Sequence, residues 1–352
     1  MKPPYRVMSM EEVESLPWNG RTVISTFSGC GGSSLGYRMA GFKVMLANEF
    51  IPAARDIYRL NANPSTIIDP RDIREVTGES LLESTGLKQG ELDILDGSPP
   101  CSAFSTAGKR HKGWGKLKSY SDSEQVVDDL FFEYSRLLRS IRPRVFIAEN
   151  VSGLVKGVAK GYFLNILRDL RSCGYRVSCR VLDSLWLGVP QSRQRTIFVG
   201  VRDDLRIDPV HPAPLPYWYS VSEALEGLDS GDLSDTTISK GMSAYWDRTR
   251  QGHTFSAAYM LLNRTDKASM FNYRKLSPAK WCPTIMQSPT LFHWSEPRTM
   301  SIPEMKRLGG FPDDFRMNGS YAKRYERIGR AVPPVMMSHI ARAVLEGVLC
   351  KT

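Results

Sequence analysis

Two short segments carry residue types that, brought together, could do covalent chemistry on a ring. In Gly97-Ser98-Pro99-Pro100-Cys101 a cysteine follows two prolines, directly after the run Leu92-Asp93-Ile94-Leu95-Asp96. That run reads as a buried strand. Proline fixes φ and donates no backbone hydrogen bond, so the pair ends the strand and holds the thiol in a rigid turn at its carboxyl end. Arg144-Val145-Phe146-Ile147-Ala148 reads as a second buried strand and runs into Glu149-Asn150-Val151. The carboxyl edge of an open α/β sheet is where ligands bind. A thiol and a carboxyl projecting from that edge supply a nucleophile and a proton donor. Taken singly, each has a plainer reading, Cys101 as a buried core thiol and Glu149 as a surface acid.

The first strand-to-helix junction holds Phe27-Ser28-Gly29-Cys30-Gly31-Gly32. Glycines there let backbone approach a ligand and open a helix whose amino terminus faces it. The spacing is not GxGxxG, which argues against a nicotinamide oxidoreductase. The second strand ends at Asn48-Glu49-Phe50, where an acid can accept from ribose hydroxyls and an aromatic can cover an adenine. An adenosyl cofactor is the reading. After Cys101, the five basic residues Lys109, Arg110, Lys112, Lys116 and Lys118 are interleaved with Gly108, Gly113 and Gly115 and carry no acid among them. Such a segment suits a lid over a charged substrate.

The elements that must position these groups alternate. Strands are expected at 22–27, 43–48, 176–182 and 196–201, and helices at 33–40, 52–60, 128–141 and 162–173. That rhythm implies an α/β fold with a doubly wound, mostly parallel sheet. It breaks near Asp203, and up to Pro297 the chain is rich in Pro, Trp, Tyr and polar residues. Within this stretch, 203–235 holds eight acids against one base, and 240–280 holds eight bases against two acids. The expected division is a catalytic and cofactor-binding domain over 1–202 plus 298–352 and a smaller, irregular domain over 203–297. Helical pattern returns at 303–308 and 335–349.

The 352 residues are 41% hydrophobic and 24% charged, with a formal net charge of +10, which favours a polyanionic partner. No stretch is long and apolar enough to span a bilayer, and the amino terminus lacks a signal peptide's apolar segment, so a cytoplasmic protein is expected. Six cysteines without CxxC spacing argue against a structural metal site and against a disulfide framework.

Glycine-rich turn, Asn-Glu, Pro-Pro-Cys, Glu-Asn-Val and Gln191-Ser192-Arg193-Gln194-Arg195 arrive in a fixed order. Together they resemble the cytosine-C5 DNA methyltransferases, from Phe27 to about Ile340, with 203–297 standing where that family keeps its variable target-recognition domain. The resemblance implies a Rossmann-like S-adenosylmethionine-dependent fold and methyl transfer to C5 of a flipped-out cytosine in a short DNA sequence. Cys101 would attack C6, Glu149 would meet N3, and Arg193 and Arg195 would contact the base and its phosphates. Phe27, Gly29, Gly31, Gly32, Glu49, Phe50, Asp72, Ile73, Pro99 and Leu130 would line the cofactor site. Val332, in Arg327–Pro334, would complete it. Lys109, Arg110 and Lys112 of the loop, and Arg248, Arg250, Arg264, Lys267, Arg274 and Lys275 of the second domain, would hold double-stranded DNA. The resemblance further implies a monomer without a metal and leaves room for a cognate restriction endonuclease. Ser102 replaces the usual glutamine, Pro303 a common arginine, and Arg330 the usual asparagine. RNA cytosine-C5 methylation and a catalytically silent DNA-binding relative are the alternatives.

Overall fold

Apolar runs become strands and amphipathic runs become helices along the first two hundred residues. The computed structural model describes residues 2–100, 118–120, 123–125, 130–155 and 160–352, the two tripeptides by their backbone alone. Cys101, Ser102, Lys109, Arg110 and Lys112 lie outside the described residues. In chain order the strands are β1 (Thr22–Thr26), β2 (Lys43–Asn48), β3 (Ile67–Asp69), β4 (Ile94–Gly97), β5 (Lys118–Tyr120), β6 (Ser123–Gln125), β7 (Val145–Val151), β8 (Tyr175–Asp183) and β9 (Gln194–Arg202). Helices α1 (Met10–Ser15), α2 (Gly32–Met39), α3 (Pro52–Asn61), α4 (Gly78–Thr85), α5 (Leu130–Ile141) and α6 (Lys160–Ser172) alternate with them.

Seven strands form one sheet in the order β3-β2-β1-β4-β7-β9-β8. The five from β3 to β7 are parallel. Strands covered on both faces read as continuous apolar runs, and β4 is buried throughout. One face packs Ile24, Leu46, Leu95 and Phe146 against Tyr134 and Leu138 of α5. The sheet is mostly parallel, as the rhythm of the sequence implies, and β9 runs antiparallel to both of its neighbours. Residues 184–193 lack an α-helix that would carry a parallel crossover, so β9 returns between β7 and β8.

By its internal contacts the chain divides into two units. The sheet unit comprises Glu11–Asp183, Gln194–Ala213 and Met336–Thr352. The other comprises the segment ending at Met10, Ser184–Arg193 and Pro214–Val335. The latter differs from the stretch expected from sequence, 203–297, chiefly by taking in 298–335. Backbone hydrogen bonds account for that: Thr299 N donates to Thr236 O at 3.0 Å, and Met300 N to Leu291 O at 3.1 Å. Regular structure here is sparse: α7 (Val221–Leu225), α8 (Lys240–Asp247), α9 (Ser256–Leu262), the two-residue strands β10 (Arg274–Lys275) and β11 (Leu291–Phe292), α10 (Ile302–Leu308) and α11 (Tyr321–Arg330). Aromatic packing substitutes for a sheet, with Phe255 and Phe292 ring centroids 4.6 Å apart. Helix α12 (Pro334–Gly347) follows.

Candidate active site

β4 and β7 are neighbours in the sheet, in register from Ile94 opposite Val145 to Gly97 opposite Ala148. The segment leading to Cys101 and the segment carrying Glu149 therefore leave the sheet side by side. Asn150 Nδ2 donates to the Pro99 carbonyl at 3.1 Å, which ties the proline turn to β7. Glu149 receives Arg195 Nε at 2.7 Å. The pairing follows from register: Arg195 stands opposite Val151 on β9, and diagonal neighbours two residues apart share a face. Both side chains are largely buried, at 11% and 14% exposure. Burial pulls the Arg195 guanidinium below its ordinary value, and the Glu149 charge opposes that. The result is a carboxyl and a guanidinium held together at the sheet's carboxyl edge.

The glycine-rich turn and the end of β2 form a second cluster. Gly31 sits at φ 96°, in the left-handed region, and caps α2. At Gly29 a Cβ would meet nothing within 4 Å, so the turn leaves open space. Glu49 is 7% exposed and accepts from Gly29 N at 2.6 Å and from Ile51 N at 2.7 Å, so the turn and the strand end are clamped to each other. Phe50 presents an exposed ring. Asn48 Nδ2 donates to the Arg71 carbonyl at 2.9 Å and sets the backbone just before Asp72. Arg136 of α5 donates to the Ile73 carbonyl at 2.9 Å. Asp72 is paired with Arg74 at 3.2 Å, Ile73 and Leu130 are buried, and Phe27 is half-buried at φ 53°. Open backbone, a buried acid and an exposed aromatic ring along one edge fit an adenosyl group.

The profile of the C-5 cytosine-specific DNA methylase family matches residues 21–346. The chain belongs to that family. It is 30% identical to the type II methyltransferase M.FnuDI of Fusobacterium nucleatum over 92% of its own length and 94% of the relative's. It is 29% identical to M.PspPI of a Psychrobacter strain, over 95% of this chain and 81% of that one. Its fold matches that of a prophage-encoded protein of E. coli described as a DNA modification methyltransferase, with a TM-score of 0.70 at 23% identity, over 94% and 100% of the two chains. As a cytosine-C5 DNA methylase the chain is a DNA (cytosine-5-)-methyltransferase, and methylation by this family implies S-adenosylmethionine as donor.

The residues expected at the base, on the DNA and in the carboxyl-terminal segment of this methylase differ in burial. Arg193, expected at the base, is 3% exposed in the second unit and donates to the carbonyls of Ile285 at 3.1 Å and Gly329 at 2.9 Å. Lys275, expected on the DNA face, is 8% exposed, its ammonium 3.3 Å from the centroid of the Trp246 ring. Burial lowers its pKa, and a cation on an aromatic face is a packing interaction as much as a charge. Arg274 donates to the Gly252 carbonyl at 2.9 Å, whereas Arg248, Arg250, Arg264 and Lys267 are exposed. Val332 is buried in the second unit.

Two of the departures from the family pattern fit their local structure. Arg330 Nε bonds Glu326 Oε1 at 2.7 Å across one helical turn, and Pro303 lies in the first turn of α10, where a missing N–H costs nothing. Among the described residues no helix is long and apolar enough to cross a membrane, and no group of His, Cys, Asp and Glu is placed to hold a metal. Burial pushes the thiols of Cys173 and Cys179 up to about 11 and about 12, far from nucleophilic use. Sequence reasoning missed Asp96, a buried carboxyl among hydroxyls beside the glycine-rich turn.

Proposed function

We propose that this methylase acts on cytosine in a short sequence of duplex DNA through a covalent adduct between Cys101 and C6. Support comes from the Glu149–Arg195 pair at 2.7 Å, set beside the strand that leads into Cys101. C5 of cytosine is a poor nucleophile while the ring is aromatic. Attack of the Cys101 thiolate forms the S–C6 bond and moves the ring electrons toward N3, where Glu149 delivers a proton and Arg195 offsets residual charge. C5 of the resulting enamine takes the methyl group. Loss of the C5 proton to water, cleavage of the S–C6 bond and return of the N3 proton to Glu149 then restore the ring, the thiolate and the acid, so one proton is exchanged for one methyl group.

S-adenosylmethionine, when bound, supplies a methyl group activated by a positively charged sulfur. For its seat, Gly29 leaves open space for close approach, Gly31 and Gly32 would offer backbone at the start of α2, Glu49 would accept from the ribose and Asp72 from the adenine amino group. Phe50 would cover the ring, with Phe27, Ile73, Pro99 and Leu130 as apolar walls. C6 is out of reach in a stacked duplex, so the base leaves the stack at a cost of a few kcal/mol. The exposed Arg248, Arg250, Arg264 and Lys267 would hold the phosphates of the distorted DNA, together with Lys109, Arg110 and Lys112.

Bisulfite sequencing of plasmid from cells expressing the chain, with Cys101→Ala in parallel, tests this. Cytosines protected within one short sequence by the native chain alone are the expected result. Full conversion in both samples, with soluble protein present, removes the duplex-DNA reading and directs the assay to tRNA.

A further inference from the structure

β4 carries an acid where the rest of its end is apolar. Leu95 faces the core shared with α5, and Asp96, one residue on, faces β1 and α2. Its Oδ2 accepts from Ser25 Oγ and from Ser33 Oγ, both at 2.8 Å, and its Oδ1 accepts from the Tyr37 hydroxyl at 3.1 Å. Asp96 is 1% exposed, and among the described residues its hydrogen-bond donors are hydroxyls rather than cations. Ser33 and Tyr37 belong to the helix opened by the glycine-rich turn, and Ser25 to the strand before it. The backbone beside the carboxyl is held too. Thr26 Oγ1 donates to the Asp96 carbonyl at 3.0 Å. At Gly97 a Cβ would fall 2.5 Å from the Tyr134 ring and 2.8 Å from Thr26 Oγ1. Cys101 follows within the same segment.

A buried carboxylate without a cation is an expensive way to fill a strand position, since an apolar residue would pack there without desolvating a charge. Its three hydroxyl partners come from two elements that sequence separates from β4 by about sixty residues or more. We propose that Asp96 is a positioning residue: it locks α2 and its glycine-rich turn to the end of β4, so that the donor seat keeps one placement against the strand that leads into the proline turn. This rests on the reading of that edge as the S-adenosylmethionine site.

The test is titration of S-adenosylmethionine by calorimetry together with steady-state methylation, on chains whose folding is checked by circular dichroism and melting. Asp96→Ala removes all three acceptor contacts, and is expected to raise the dissociation constant about tenfold and lower kcat at saturating donor and DNA about fivefold. Asp96→Asn keeps an acceptor toward the serines and can donate to the tyrosine oxygen, so it stays within about threefold of native in both. A role in stability alone would lower the melting temperature and leave both constants unchanged well below it. Should Asp96→Ala fail to fold, Ser33→Ala and Tyr37→Phe each remove one donor, and each is expected to weaken donor binding about threefold. Native affinity and native turnover in Asp96→Ala, or in both single-donor variants, overturn the proposal. A native chain that binds no S-adenosylmethionine is a separate result, and overturns the reading of the site itself.

Discussion

Glu149 and Arg195 have side chains 11% and 14% exposed and lie 2.7 Å apart, whereas Arg248, Arg250, Arg264 and Lys267 of the second unit stand in solvent. The first pair is placed by a sheet register, the second group by turns and short helices. The contrast teaches how this chain separates its two tasks. Ring chemistry needs charges fixed and shielded from water, because an ion pair gains strength as water leaves. Holding a polyanion needs charges that remain hydrated until counterions are released. Losses at the sheet edge should therefore be large and insensitive to salt, and losses in the second unit modest and steeply dependent on it.

The largest expected effect is at Cys101. Cys101→Ala should lower methylation by at least about 10³-fold while leaving S-adenosylmethionine binding intact, measured by tritium transfer and calorimetry. Arg195→Ala comes next, with a loss of about 10²-fold in kcat at any salt concentration, because it removes the buried cation that offsets charge developing on the ring. The double variant Arg264→Ala, Lys267→Ala should weaken DNA binding about tenfold and reduce the slope of log affinity against log salt by about two, with kcat unchanged at saturating DNA. A salt-independent loss there would erase the contrast.

The smallest effect concerns stability. Burial pushes the Asp96 carboxyl up to about 6, against the opposing hydrogen bonds from Ser33, Ser25 and Tyr37, and Glu149 adds to the rise. The folded chain thus holds that proton more tightly than the unfolded chain does, and stability falls as pH rises from about 4 to about 6, then levels off. Asp96→Asn should therefore melt a few degrees above the native chain at pH 8 and show little of that gain at pH 4. An equal difference at both pH values would assign the gain to packing.

Much of this arrangement was legible in the amino acids. Buried parallel strands read as apolar runs, so β1, β2, β4 and β7 and the turns at their carboxyl ends could be placed, and with them Glu49 and Glu149. The reversed β9 was not legible, because strand direction is decided by pairing rather than by any local pattern. For the same reason the partner of Glu149 emerged only from the register of β7 with β9. Counting bases along 240–280 found a basic segment but not which charges face water: Lys275 lies against Trp246, while Lys267, eight residues earlier, is exposed. Asp96 was passed over as part of an apolar run, since one acid in a strand declares its purpose only when Ser25, Ser33 and Tyr37 are seen around it.

Incubation with duplex DNA containing 5-fluorocytosine, in the presence of S-adenosylmethionine, tests the covalent route most directly. Fluorine at C5 cannot leave as a proton does, so the S–C6 bond should persist after methyl transfer. A complex that survives denaturing electrophoresis, formed by the native chain and absent with Cys101→Ala, is the predicted result. A native chain that methylates ordinary DNA of the same sequence yet leaves no such complex would contradict it.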